Sequence, residues 1–192
     1  MMRRIGLFGG SFNPVHLGHL LVAQAAREEL QLDRIFFTPA AMSPFKPGVA
    51  LAPAAQRLRF LRLALAGRTD CEIDDQEIVR SGVSYTIETV RDYARRFSGA
   101  LLFYLIGADH APQLPLWRDA GELARLAEFV IIPRPGMALA EAPAPFRSRA
   151  LRGFPLGVSA SQIRERVRAG LPIEALAPPA VVEAILASQL YV

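Results

Sequence analysis

The chain is short of cysteine, lysine, histidine and long apolar runs, and each shortage narrows what it can be. Cys71 is the only cysteine, which excludes an internal disulfide and points to a reducing compartment. With no histidine beside it, Cys71 reads as a small core residue. No apolar run is long enough to cross a bilayer. The one after Arg3-Arg4 breaks at Gly9-Gly10, too soon for a signal peptide. The expectation is a cytoplasmic protein with no membrane partner. Basic residues outnumber acidic ones by 22 to 18, and the isoelectric point is near 9.8. The arginines are scattered rather than blocked, which argues against nucleic acid as a partner and suits a small anionic ligand. Lys46 is the single lysine among the 22 basic residues. A compact ammonium and a forked guanidinium do different chemistry, so the one lysine kept is a candidate functional residue.

What is present is ordinary for a folded chain. Hydrophobic residues make up 52% and charged residues 21% of 192 positions. That suits one domain with a full core over residues 1–192, with a small helical part from about Ser159 to the end. A homo-oligomer is compatible with this composition.

Apolar runs and breakers mark out the elements. Ile5 to Phe8 reads as a short buried strand. Pro14 holds Asn13 extended, so no helix runs through that point. A helix from about Leu17 to Leu30 offers Leu17, Leu20, Leu21 and Leu30 as its core face. Arg34 to Thr38 is a second strand, and Ala40 to Pro53 is a loop that carries Lys46. Pro53 to Ala66 is helical and ends at Gly67. Cys71 to Asp74 suits a strand. A helix follows Ser84-Tyr85-Thr86, with Ser84 or Thr86 available to cap it and Gly99 closing it. Leu101 to Ile106 is a strand buried on both faces. The pattern further predicts a helix over Leu116 to Leu126, a strand at Phe129 to Ile132, a surface excursion over Gly136 to Arg149 and a last strand at Leu156 to Val158. Helices then start at Ser159-Ala160-Ser161 and at Pro179.

Alternating strands and helices imply an α/β fold with a mostly parallel sheet covered on both faces. Ligands bind beyond the carboxyl ends of such strands. That rule selects Gly9-Gly10, Pro39 to Lys46, Gly107 to Asp109, Pro133-Arg134 and Ser159 to Ser161, where special and polar residues also cluster.

The first of these carries the densest chemistry. Gly9 to His19 reads Gly-Gly-Ser-Phe-Asn-Pro-Val-His-Leu-Gly-His, between a strand and a helix, and holds two of the three histidines. It is neither Gly-x-Gly-x-x-Gly nor a P-loop, so ordinary dinucleotide and Walker readings are weak. Glycines at that place still let amides approach a phosphate at a helix N-terminus. His16 and His19 add ring donors for charge developing at phosphorus. Zinc would need a third ligand, and only His110 is left. Core or capping histidines are the plain alternative.

At this point the residues carry a resemblance. Gly9 to His19 resembles the His-x-Gly-His signature of the nucleotidyltransferase superfamily. Ser159-Ala160-Ser161-Gln162-Ile163-Arg164 is similar to its second phosphate motif, at the opposite end of the chain. More narrowly, the chain resembles the bacterial nicotinate mononucleotide adenylyltransferases. The pieces are Ser43 to Lys46, Ser84-Tyr85-Thr86 with Glu88-Thr89, Gly107-Ala108-Asp109, Leu114 to Trp117, Arg134 to Gly136 and Leu190-Tyr191. The resemblance implies a Rossmann-like doubly wound fold. It implies adenylyl transfer from ATP to nicotinate mononucleotide, with Mg²⁺ carried by the ATP phosphates and no metal site on the protein.

It also implies roles. His16, His19, Lys46 and Arg164 would be catalytic. Gly9, Gly10, Ser11, Phe12, Gly107, Asp109, Ser159 and Ser161 would join His16, His19 and Arg164 in binding ATP, Asp109 taking the ribose hydroxyls. Lys46, Ser84, Tyr85, Thr86, Trp117 and Arg134 would hold the nicotinate nucleotide, with Trp117 stacked on its ring. Arg57 and Arg80 rank as surface or ion-pair residues. The chain departs from the pattern at Ala160, where a second serine is common, at Ala184, where a tyrosine is common, and at Asn13, which replaces a frequent aspartate. The alternatives are the same transfer to nicotinamide mononucleotide or phosphopantetheine, and a nucleotide-binding module without catalysis.

Overall fold

The computed structural model describes residues 2–44, 50–134, 136, 141–153 and 156–192. Six parallel strands form one sheet in the order β3-β2-β1-β4-β5-β6. They are β1 Arg4–Gly10, β2 Arg34–Pro39, β3 Cys71–Ile73, β4 Leu101–Gly107, β5 Glu128–Ile132 and β6 Ser148–Ala150. The chain runs outward from β1 to β3, then returns to β4 on the other side of β1. The order therefore reverses between β1 and β4, and the crevice there is the ligand position of a doubly wound sheet.

Strand alternation distributes the core. Phe8, Ile35, Phe37, Phe103, Leu105 and Val130 face one side, against α1 (Leu17–Leu30), α2 (Ala54–Ala64), α6 (Ala160–Arg168) and α7 (Pro179–Ser188). Ile5, Leu7, Phe36, Tyr104, Ile106 and Phe129 face the other. There they meet α4 (Thr86–Arg96), a 3₁₀ helix over Ala108–Leu116 and α5 (Ala120–Leu126). Burial on both faces explains why these strands read as continuous apolar runs. The short α3 (Gln76–Arg80) has no counterpart in the sequence pattern. Among the described residues no helix is long and apolar enough to cross a membrane.

Four expectations change. In α1 the fully buried residues are Ala23, Ala25, Ala26 and Leu30, while Leu17, Leu20 and Leu21 are half-buried. Small side chains let this helix lie close on the sheet, and Gly6 allows the same approach, since a Cβ there would come within 2.6 Å of Leu32. The sixth strand is Ser148–Ala150, inside the expected excursion, and Leu156 to Val158 is not a strand. β6 pairs with β5 alone, and its Ser-Arg-Ala sequence carries no apolar run. The expected Leu116–Leu126 helix starts only at Ala120: Leu116 closes a 3₁₀ helix that holds Pro112 and Pro115, and Asp119 takes a left-handed backbone before α5. Neither Ser84 nor Thr86 caps α4: its N-cap is Tyr85, with no side-chain bond.

Candidate active site

β1 ends at Gly9-Gly10 in the crevice, and α1 begins at Leu17. Phe12 has φ +44, a costly conformation for a bulky residue. Its buried ring holds it there, packed 5.0 Å from the His19 ring and 5.6 Å from both Phe8 and Phe37. Gly9 is needed for a close approach from β4: a Cβ would lie 2.3 Å from the Tyr104 hydroxyl.

His16 is the N-cap of α1. Its backbone N–H donates to Nδ1 of His19 at 3.2 Å. With Nδ1 accepting, the ring proton of neutral His19 belongs on Nε2. The two rings lie 3.7 Å apart between centroids. Burial lowers the pKa of His16 to about 4, and burial followed by the charge of His16 holds His19 well below its ordinary value. Both are neutral near pH 7, each with one donor and one acceptor. Gly18 makes room for this pair, since a Cβ would sit 3.0 Å from His16 Nδ1.

The second motif reaches the first directly. Ser159 caps α6 by accepting from the Gln162 amide at 3.2 Å. Ser161 Oγ accepts from Arg164 at 3.1 Å, and the same guanidinium donates to the Asn13 carbonyl at 2.8 Å. The two serines thus separate: one holds the helix, the other holds the arginine. Asn13 also ties down the chain end, because its Oδ1 accepts from the Tyr191 hydroxyl at 2.8 Å and the Ala52 amide at 3.1 Å.

Across the crevice, β4 delivers Gly107 and Asp109. Asp109 Oδ1 lies 3.2 Å from Arg134 Nη2, and Asp109 Oδ2 lies 3.7 Å from His110. Gly107 leaves space for that pair, since a Cβ would stand 2.4 Å from Asp109 Oδ1.

A separate pocket lies beside it, lined by Pro44, Tyr85, Thr86, Leu116, Trp117, Arg118 and Leu123. Three edge-to-face contacts, with Tyr104, His110 and Phe129, fix the Trp117 indole. Tyr104 Oη lies 3.5 Å from Thr86 Oγ1, so one phenol links the pocket to Gly9. α4 begins beside Tyr85 and Thr86, where the first turn of a helix has amides without an intrahelical acceptor. Arg118 was not selected from sequence; its guanidinium lies over the Tyr85 ring at 4.6 Å and 3.3 Å from Glu88. Ser84 is buried rather than lining the pocket, and its hydroxyl accepts from the Ala41 amide at 2.9 Å. Behind it, Glu77 is buried and accepts from Thr89 at 2.7 Å, and burial raises its pKa.

Of the two arginines ranked as surface or ion-pair residues, only Arg57 needs correction. Arg57 is 2% exposed and bonds only backbone carbonyls among the described residues, those of Ser11, Ala40 and Ala52. It shares the buried face of α2 with Leu61 and Ala64. Arg80 is bound to Gln76, Thr89 and Glu88, which is the ion-pair role expected. Lys46 lies outside the described residues.

Residues 7–166 match the model of the cytidylyltransferase-like family. The chain is 38% identical over 190 residues to an Opitutus terrae protein named "probable nicotinate-nucleotide adenylyltransferase", covering 98% of this chain and 97% of that one. It is 41% identical over 178 residues to a Thermus thermophilus protein of the same name, covering 93% and 94%. In fold it is similar to a Plasmodium falciparum nicotinic acid mononucleotide adenylyltransferase complexed with NaAD, with TM-score 0.81, 15% identity and coverage of 98% and 97%. The family model spans most of the chain, both histidines and Arg164 included, and the chain belongs to the cytidylyltransferase-like family alongside the bacterial nicotinate-nucleotide adenylyltransferases.

Proposed function

We propose that the protein transfers the adenylyl group of ATP to nicotinate mononucleotide, giving nicotinate adenine dinucleotide and pyrophosphate. The observation that carries this is the pairing of two sites through Tyr104. A phosphate cradle at Gly9 to His19 adjoins a pocket with an indole wall at Trp117 and a helix N-terminus at Thr86. An aromatic ring bearing a carboxylate matches the second site in shape and charge.

The reaction needs little of the protein beyond alignment. A phosphate oxygen of the monoester attacks the α-phosphorus of ATP, a new P–O bond forms, and the bond to the bridging oxygen breaks as pyrophosphate leaves. The nucleophile is already ionised near neutral pH, so no general base is required. Catalysis is positioning and neutralisation of spreading charge. His19, with its proton on Nε2, and His16 would donate to phosphate oxygens. Arg164 and Ser161 would bind the β- and γ-phosphates, Lys46 would sit between the two substrates, and Asp109 would take the ribose hydroxyls. Arg134, pulled from Asp109, would meet the acceptor's phosphate. Around the histidines the donors are ring N–H, amide and guanidinium groups, which match phosphate oxygens rather than a cation. Mg²⁺ would therefore enter on the triphosphate, where it offsets phosphate charge.

Pyrophosphate release from ATP and Mg²⁺ tests the proposal, with nicotinate mononucleotide, nicotinamide mononucleotide and phosphopantetheine in parallel. The expected order places the acid first. Equal rates with the two pyridine nucleotides would remove the acid preference, and release with none would leave a binding module.

A further inference from the structure

Arg57 is a buried cation. Among the described residues it enters no ion pair. Its partners are the carbonyls of Ser11 and Ala40, both at 2.8 Å from Nη1, and of Ala52 at 3.1 Å from Nε. Burying a guanidinium away from a carboxylate is costly, and carbonyl dipoles offset only part of that cost. A charge kept at such a place needs a reason.

The reason lies in which peptides it holds. Across a trans peptide the C=O and N–H point in opposite directions. The Ala40–Ala41 peptide illustrates it: its carbonyl turns to Arg57, and its N–H turns away to Ser84 Oγ at 2.9 Å. The Ser11–Phe12 peptide is held in the same way at its carbonyl, so the Phe12 amide faces away from Arg57. That amide stands just beyond the end of β1, where the left-handed φ of +44 at Phe12 turns the chain. Successive amides at such a turn make an anion-binding concavity.

We propose that Arg57 is a positioning residue for the nucleotide: it fixes the Ser11–Phe12 peptide with its amide turned to the triphosphate, whose charge serves as the counter-ion of the buried guanidinium. This rests on the reading of Gly9 to His19 as a phosphate site. The pyridine side depends on Arg57 less, because the carbonyls that Arg57 bonds, those of Ser11, Ala40 and Ala52, are not among the residues that line that pocket.

The test uses the full chain with Arg57→Gln and Arg57→Lys, Mg·ATP binding by calorimetry, and the KM of each substrate. Arg57→Gln should weaken ATP binding about 10-fold or more, the loss of one charge-assisted interaction. The KM for nicotinate mononucleotide should change by less than about 3-fold. Arg57→Lys, which keeps the charge without the fork, should fall between. A folded Gln variant that binds ATP like the parent would overturn the proposal, as would equal losses on both substrates or a Lys variant no better than Gln. Where the variants fail to fold, the ¹⁵N-labelled Phe12 amide of the parent protein decides. It should shift when ATP is added, and a stationary resonance would overturn the proposal. Parent protein that binds ATP yet releases no pyrophosphate with any acceptor would refute the transfer reading and leave the Arg57 result standing.

Discussion

His16 and His19 show how burial sets chemistry at single residues. Their rings are 3.7 Å apart, and two imidazolium ions at that distance would repel strongly. Burial and proximity keep both neutral, with His16 lowered to about 4 and His19 well below normal. Unfolded, each would titrate near 6.5. Between about pH 4 and 6.5 the unfolded chain therefore binds more protons than the folded one, and stability rises with pH through that window. The stability gained from neutral histidines is complete above 6.5 and is lost as pH falls toward 4. For His16 alone the loss is about 3 kcal/mol. Melting temperature against pH should fall steeply below about 6.5, and a His16→Asn, His19→Asn double variant should show a flatter curve. An equally steep curve in the double variant would place the acid sensitivity elsewhere.

For an element, the N-terminus of α1 shows local propensity yielding to the site. Gly18 is in the helix's first turn, where alanine would be favoured by about 0.8–1 kcal/mol on propensity alone. A Cβ there would meet His16 Cε1 and Nδ1 at 3.0 Å and the Val158 carbonyl at 3.5 Å. The ring would have to move by a few tenths of an ångström. Gly18→Ala should therefore leave the melting temperature nearly unchanged while turnover falls about 10- to 100-fold, as misplaced catalytic groups do. Unchanged turnover in that variant would show that the position of the His16 ring is not critical. Sequence pattern placed this helix within a residue but assigned its core face to leucines. The alanine face was hidden because alanine is apolar yet carries little pattern, and only the close sheet beneath it makes small residues the buried ones.

Over the whole molecule, the two chain ends converge on Asn13. Arg164 bonds its carbonyl, and Tyr191, next to the last residue, bonds its side chain at 2.8 Å. Burial also raises the pKa of the Tyr191 phenol, which keeps it a donor at any ordinary pH. Tyr191→Phe removes one hydrogen bond and leaves Asn13 with the Ala52 amide. The expected cost is about 1 kcal/mol in urea unfolding. A stability unchanged within error would mean that the chain end does not staple the first motif.

Breakers, caps and apolar runs in the sequence were enough to specify the parallel α/β sheet and the strand-to-helix turn that carries the histidine pair, because they act over a few neighbours; the serine-arginine helix as a partner motif and the grouping of Tyr85, Thr86 and Trp117 came from the family resemblance. The tertiary structure decided what depends on long-range contact. It made Ser159 the cap and Ser161 the arginine's partner, moved the sixth strand to Ser148–Ala150 and brought Arg118 to the pocket. It also buried Arg57 beneath the turn that follows β1. An arginine's place inside or outside is set by which carbonyls the fold gathers around it, and those of Ser11, Ala40 and Ala52 come together only when β1, β2 and α2 have packed.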